Sequence, residues 1–495
     1  MYDCFFPQSS VTAVFEEQPQ PCHYSKKIVE GVLIMETTRD HVGTVATVEN
    51  DDHLPLHRKI TYAFTDMSGN LLYCIISGYL LYFFTEVFGL SVGVAGTLLL
   101  VARFFDALDA PIWGIIIDHT HSKYGKSRPW FLWMALPFTL FVWLLFTTPN
   151  LSGTAKIVYA GVMYILAGIS YTGMSTPITA VLPNLTSDPQ ERTVANSFRM
   201  VGGNIGNFFA VTFILPFANL LGGADKQKGW SLAVGIYAIV AFILLVVAFL
   251  DMREKNIEST KTVTIKQSFK AAKGNWPWVL IVLANVIYWA ALMTRNSTLA
   301  YYFQYNMNNQ SLISLFNGVS IIQVVGMATI PFLVKATSKW AATVIALSVA
   351  ILGQVIMGIS GGNFVVLMIG WCLACIGSGS ACTMFFAMVG DTVDFGEWKS
   401  GIRAAGFLTA IGSSFCIKMG SGLGSFLPAQ ILKAFGYVAD KAQTATALSG
   451  ISFSFLWLPA IIFAINIIPM VLYRKYEKQE ATVRADLAKR HAAEA

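Results

Sequence analysis

"GTLLLVARFFDALDAPIWGIIID", residues 96–118, is apolar at both ends but carries Arg103, Asp106 and Asp109 near its centre. About twenty apolar residues cross a bilayer as one helix, and this run has the length. A charge at mid-bilayer costs roughly 2.5–3.5 kcal/mol on insertion scales. Three charges within seven positions must therefore face a cavity, a partner or one another. The segment reads as a membrane-spanning helix with a polar interior face, and that reading sets the class of the chain.

The remaining sequence agrees. Of 495 residues, 55% are hydrophobic and 13% charged, against about a quarter charged in soluble proteins. Twelve apolar segments can be drawn, near 62–88, 93–117, 129–149, 156–182, 196–221, 230–251, 277–304, 311–334, 340–360, 363–389, 402–435 and 450–473. The short alternating segments of an outer-membrane barrel are missing. The expected fold class is an all-α polytopic membrane protein with twelve transmembrane helices in two six-helix bundles. A basic stretch between the sixth and seventh segments suggests that a pseudo-two-fold axis along the membrane normal relates the bundles.

The expected organisation is a polar, disordered segment over 1–58, a bundle over 59–251, a cytoplasmic linker over 252–276, a second bundle over 277–473 and a cytoplasmic tail over 474–495. The first segment lacks a basic stretch followed by an apolar one, so no secretory signal is expected in it. Met35 opens an ordinary polar lead-in, and the 34 residues before it are expected to be dispensable. With both termini in the cytoplasm, inner loops hold fourteen Lys and Arg: Lys123, Lys126, Arg128, Arg192, Arg253, Lys255, Lys261, Lys266, Lys270, Lys273, Lys335, Lys339, Lys399 and Arg403. Outer loops hold five: Lys156, Lys226, Lys228, Lys433 and Lys441. That bias favours both ends inside a cell membrane.

The net charge of +6 comes mainly from these loops and does not point to nucleic acid. Cys372-x-x-Cys375 has no accompanying ligand set, so its thiols read as helix packing rather than a metal site. No nucleophile motif or nucleotide loop appears, so neither an enzyme nor a cofactor is expected. Nothing marks an oligomer, and a monomer is the default.

Asp106 and Asp109 lie three apart, on one helix face. Two close carboxylates repel unless one takes a proton or a cation joins them. The pair suits a proton or a sodium ion at Asp106; the competing reading is a structural ion pair with Arg103. Asp66, Asn70, Tyr73 and Ser77 form a polar stripe, and Tyr171, Thr172, Ser175 and Thr179 surround Pro177. Such hydroxyls are also ordinary helix–helix contacts. Arg199 and Lys418 place one cation in each bundle, fitting a polar, oxygen-rich or anionic solute in a shared cavity. Tyr171, Trp289 and Trp371 could stack on a sugar ring.

Five stretches then resemble a known family: "KITYAFTDMSGNLL", "YFFTEVFGLSVGVAGTLLLVARFFDALDAPIWGIIID", "KYGKSRPW", "YTGMSTPITAVLPNLTSDPQERTVANSFRMVGGNIG" and "GDTVDFGEWKSGIRAAGF" followed by Lys418. Over about 57–475, in order, the chain resembles the glycoside–pentoside–hexuronide:cation symporters. These are major facilitators and include melibiose permease. The resemblance implies the major facilitator fold, a cation site at Asp106 and Thr172, and sugar or cation contacts at Tyr171, Arg199 and Lys418. The chain departs from melibiose permease at its second cation-site acid, where Ala110 stands and Asp109 precedes it, about 100° away on an ideal helix. The sugar-binding carboxylates of melibiose permease align with Asn70 and Ser175, and its sugar-stacking Trp with Thr179.

The expectation is a secondary transporter moving a sugar, glycoside or uronide with a cation by alternating access. The proton is favoured over sodium, because sodium needs several fixed oxygens whereas a proton needs one acid. The alternative is an uncoupled facilitator or a carrier of amphipathic solutes on the same fold. The partners expected are the small-molecule substrate and the lipid bilayer.

Overall fold

The computed structural model describes residues 54–494 apart from 119, 121, 187, 188, 255–264 and 403, together with a hairpin in which β1 (Ile28–Val29) runs antiparallel to β2 (Val32–Leu33). Beyond that hairpin, the expectations for residues 1–53 lie outside the described residues, as do Lys255, Lys261 and Arg403.

The first half comprises α1 (Leu56–Tyr82), α2 (Val92–Asp118), α3 (Arg128–Trp133), α4 (Ala135–Leu145), α5 (Gly153–Leu185), α6 (Pro189–Gly222) and α7 (Lys226–Asp251). After α8 (Ile265–Ala272), the second half comprises α9 (Trp276–Tyr301), α10 (Ser311–Val319), α11 (Gln323–Ala336), α12 (Lys339–Gly358), α13 (Phe364–Ser400), α14 (Ala405–Ala410), α15 (Cys416–Ala434), α16 (Ala445–Ser452) and α17 (Leu458–Glu494). The pairs α3–α4, α10–α11, α14–α15 and α16–α17 are each one span with an interruption, so each half crosses six times.

Local chemistry explains two of these breaks. A proline lacks an N–H and its ring clashes with the carbonyl four residues back. Pro137 acts on Trp133, where α3 ends, and Pro459 acts on Phe455, inside the π-helical turn Phe453–Trp457.

Among the described residues, ten helices are long and apolar enough to cross a membrane. The two remaining spans, α2 and α14–α15, carry the Arg103–Asp106–Asp109 group and Lys418. The spans bury one face on each other and leave an apolar face outward. Along α7, Trp230, Ala233, Tyr237, Ala241 and Leu245 are buried, while Leu232, Ile236, Ile239, Ile243 and Leu250 are exposed. An apolar exposed face is stable against lipid, and helices satisfy their own backbone there.

Close approach within the halves depends on glycine. A Cβ on Gly202 would sit 2.4 Å from the Ala63 carbonyl, and one on Gly206 2.5 Å from the Met67 carbonyl, so α6 packs backbone to backbone on α1. Gly353 of α12 and Gly377 of α13 perform the same service in the second half.

The halves echo each other at one end. α1 and α9, the first span of each, both run into π-helical turns, Phe83–Val87 and Tyr302–Asn306. The Phe88 N–H donates to Phe83 O (2.8 Å) and the Leu90 N–H to Phe84 O (2.8 Å). Met307 repeats this to Tyr302 O (3.1 Å) and Asn309 to Phe303 O (2.8 Å). Across the halves, the Tyr82 hydroxyl donates to Gln304 Oε1 (2.5 Å) and the Tyr301 hydroxyl meets Thr85 Oγ1 at 2.7 Å. Equivalent residues thus exchange equivalent contacts, as a two-fold relation requires.

Two helices run past their expected ends. α13 reaches Ser400, where Gly401 closes it in the left-handed conformation (φ 69°). α17 continues to Glu494 and its extension grips the second half: Glu477 accepts from the Trp340 N–H (2.9 Å), and Lys339 bridges Asp391 (2.6 Å) and Glu480 (2.8 Å).

Gly206→Ala is expected to destabilise the protein by about 1–3 kcal/mol, because the facing atom is a backbone carbonyl that cannot rotate away. Gly78→Ala, where a Cβ meets nothing within 4 Å, should be neutral or gain a few tenths of a kcal/mol in helix propensity. Thermal unfolding in detergent checks both; equal behaviour would contradict the close-packing account.

Candidate functional site

Lys418, on α15, crosses to the first half and ends between two carboxylates. Its Nζ donates to Asp106 Oδ1 (3.0 Å), Asp109 Oδ1 (2.8 Å), Thr172 Oγ1 (2.7 Å) and the Asp106 carbonyl (2.6 Å). Lys418, Asp106, Asp109 and Thr172 are all at least nine-tenths buried. An ammonium has three protons for these four oxygens, so the set is crowded with acceptors. Arg103 closes the far side, with Nη1 3.1 Å from Asp106 Oδ2 and 3.2 Å from the Tyr73 hydroxyl. Its guanidinium lies over the rings of Tyr73 (5.0 Å) and Tyr164 (5.5 Å).

Formal charge in the cluster sums to zero, two cations against two carboxylates. Buried charges persist only when paired and hydrogen-bonded, and this one uses helices from both halves to pair them. Space is again made by glycine. A Cβ on Gly168 of α5 would lie 3.0 Å from Asp106 Oδ1, and one on Gly422 of α15 2.9 Å from the Arg103 Cβ.

The two readings of Asp106, cation position and ion pair with Arg103, meet in one residue whose oxygens serve Lys418 and Arg103 separately. Asp109, one position from the family's second acid, still reaches the same ammonium. A four-carbon lysine stem tolerates the angular offset. Asp109 Oδ2 is buried with no hydrogen-bond partner among the described residues.

Of the remaining expected residues, Arg199 and Asn70 form a second group with Asp66, while Ser175 and Tyr171 keep contacts of their own. Arg199 Nη1 lies 3.7 Å from Asp66 Oδ1, and both side chains are partly exposed. Gly203 of α6 makes this approach possible: a Cβ there would fall 2.6 Å from Asp66 Oδ2 and 2.9 Å from Asn70 Nδ2. Asn70 donates to the Asp66 carbonyl (3.0 Å), and Ser175 Oγ lies 3.5 Å from the Thr172 carbonyl. Tyr171 stacks on Tyr73 with centroids 4.5 Å apart. Thr179 lies in α5, but its side chain is outside the described residues.

Arg199 and Lys418 therefore do not face one common solvent space: Arg199 pairs with Asp66, and Lys418 is sealed among carboxylates. Trp371, considered for sugar stacking, is 1% exposed, donates to the Phe316 carbonyl (2.8 Å) and lies under Arg295 (4.7 Å). It is a packing residue. Asp66, Tyr73 and Tyr164 enter the two groups without having been singled out as site residues. The stripe Asp66–Asn70–Tyr73–Ser77 was the signal for the first two. It splits by depth, its start facing Arg199 and its end, Tyr73 and Ser77, facing Arg103.

Removing Lys418 strands two carboxylates against one guanidinium. Lys418→Met is expected to cost about 3–5 kcal/mol, as when a buried pair loses one partner. Adding Asp109→Asn restores neutrality and should recover part of that loss. Thermal stability of the single and double variants decides; a double variant as unstable as the sum of the singles would show that the pair is not coupled.

Comparison with known proteins places the chain. Residues 61–475 match the family described as MFS/sugar transport protein. The isoprimeverose transporter of Lactiplantibacillus pentosus is 38% identical over 91% of this chain and 95% of its own length. An uncharacterized symporter of Bacillus subtilis, YnaJ, is 31% identical over 89% of this chain and 96% of its own length. Among solved structures, a bacterial homologue of the lysosomal transporter Spinster shares the fold at TM-score 0.68 and 11% identity, covering 86% of this chain and 98% of that one. These likenesses agree with the twelve spans, the two halves and the residues of the glycoside–pentoside–hexuronide pattern: the chain is a multi-pass membrane transporter and belongs to the MFS/sugar transport protein family of major facilitators.

Proposed function

We propose that this protein carries an uncharged glycoside across the cell membrane together with a proton, by alternating access of its two halves, with both termini in the cytoplasm. The observation that carries the reading is Lys418 seated on Asp106, Asp109 and Thr172, across the boundary between the halves. A cation arriving at these carboxylates competes with the ammonium for the same oxygens. Its arrival weakens the bond between the halves, and its departure restores that bond. Coupling follows from that exchange, and the membrane potential contributes about 2.3 kcal/mol per charge per 100 mV.

Asp109 Oδ2, buried with no hydrogen-bond partner among the described residues, supports the proton, since such an acceptor has room for one. The four oxygens around Nζ favour sodium as the second reading, because sodium is bound by such sets. The partly exposed group of Asp66, Asn70 and Arg199, with Tyr171 and Ser175 nearby, is assigned to the sugar. Arg103, Arg199 and Lys418 each already face a carboxylate. That balance favours an uncharged glycoside over a uronide, in line with the isoprimeverose transporter among its relatives.

Asp106→Asn should abolish accumulation while leaving exchange of substrate between the two sides measurable. Sugar-induced proton entry in sodium-free vesicles, collapsed by a protonophore, is the expected behaviour of the parent. Accumulation driven by a sodium gradient at zero pH gradient would replace the proton by sodium. Equilibration without accumulation under either gradient would mean an uncoupled facilitator.

A further inference from the structure

Glu86 is a buried carboxylate that the coupling account does not use. It is 3% exposed and lies in the π-helical turn that ends the first span. Among the described residues, no Lys or Arg side chain makes an ion pair with it. Its burial is offset by hydrogen bonds, all from the second half. The Tyr305 hydroxyl donates to Oε1 and Oε2 (2.7 Å each), the Tyr437 hydroxyl to Oε1, Gln304 Nε2 to Oε2 (3.4 Å) and the Asp440 N–H to Oε2 (3.4 Å).

We propose that Glu86 is the latch of the gate at this end of the transporter, holding the two halves together through Tyr305 and Tyr437 and having to be released before this end can open. The inference rests on the alternating-access reading above, in which this end is the outer one. Its support is geometric. Glu86 and Tyr305 occupy the same position, the fourth residue, of the two equivalent π-helical turns. Single-turn π segments in helices recur at functional positions. The surrounding contacts, Tyr82 with Gln304 and Thr85 with Tyr301, are near-symmetric, whereas Glu86 and Tyr305 break the symmetry into an acceptor and a donor that fit each other.

The latch acts as a unit. When the halves part here, the carboxylate loses every donor at once and must be hydrated, because none of its donors belongs to its own half. Intermediate openings leave it buried and unpaired, the costly case. The nearby Lys226–Asp440 ion pair (2.7 Å) also joins the halves, but both side chains are about half exposed. Such surface pairs contribute little; the Glu86 carboxylate differs from this pair and from the neutral contacts Tyr82–Gln304 and Thr85–Tyr301 in being a charged group that is buried.

The test is a distance measured without sugar. Nitroxides attached through keto amino acids at Thr154 and Ala442, both exposed and one on each half, leave the native cysteines untouched. Double electron–electron resonance on the full chain in liposomes should give one dominant short distance for the parent. In Glu86→Ala, and separately in the Tyr305→Phe/Tyr437→Phe double variant, the longer-distance population should rise about tenfold. The tyrosine variant keeps the rings and serves if Glu86→Ala does not fold. Superimposable distributions in a folded variant overturn the latch, as does a loss of thermal stability with no change in distance, which marks ordinary packing. Because no sugar or ion gradient is used, failure here leaves the coupling proposal standing, and failure of coupling leaves this measurement readable.

Discussion

Everything in this molecule has to accommodate one constraint: two carboxylates on α2 share a mid-membrane site with a lysine from the opposite half. Asp106 and Asp109 cannot stand alone in a low-dielectric interior, and neither can Lys418. Together, with Arg103 on the outer oxygen of Asp106, they are neutral and hydrogen-bonded. To bring them together, α2, α5 and α15 must approach closely, and the chain supplies Gly168 and Gly422 at the points where a Cβ would intrude. α2 and α15, which carry these charges into the membrane, are held there by what they pair with.

The same economy appears at two other depths. Arg199 meets Asp66 beside Gly203, and Glu86 meets two tyrosines where the first spans of the halves end. In each case a buried or partly buried charge finds its partner on another helix: Glu86, like Lys418, across the two halves, and Arg199 within the first half. The apolar faces carry no such information: they meet lipid, and one exposed leucine or isoleucine serves as well as another.

Much of this was legible beforehand, for definite reasons. Length and apolarity mark spans because lipid leaves the backbone few options, and the expected segments fall on the observed helices. Charges inside α2 announced themselves by their cost. Spacing on a helix gives a direction but neither a depth nor a partner. That is why the stripe from Asp66 to Ser77 read as one surface although it serves two cations, and why Asp109, set apart by an angle on an ideal helix, still meets Lys418. The π-helical turns carry no pattern that periodicity detects, so the sequence does not single out Glu86. In the sequence, Lys418 and Arg199 read as two cations facing one space. Only the tertiary arrangement shows each already answered by a carboxylate.

The central claim is that Lys418 and the coupling cation compete for Asp106 and Asp109. Equilibrium binding of the cation to purified protein without sugar tests it directly, by proton uptake at constant pH or by dialysis against radioactive sodium, in the parent and in Lys418→Gln. The account predicts tighter cation binding once the lysine is gone, by about tenfold or more for a lost competitor worth at least 1.4 kcal/mol. Unchanged binding in a folded Lys418→Gln protein would contradict it, leaving the lysine as a structural strut between the halves.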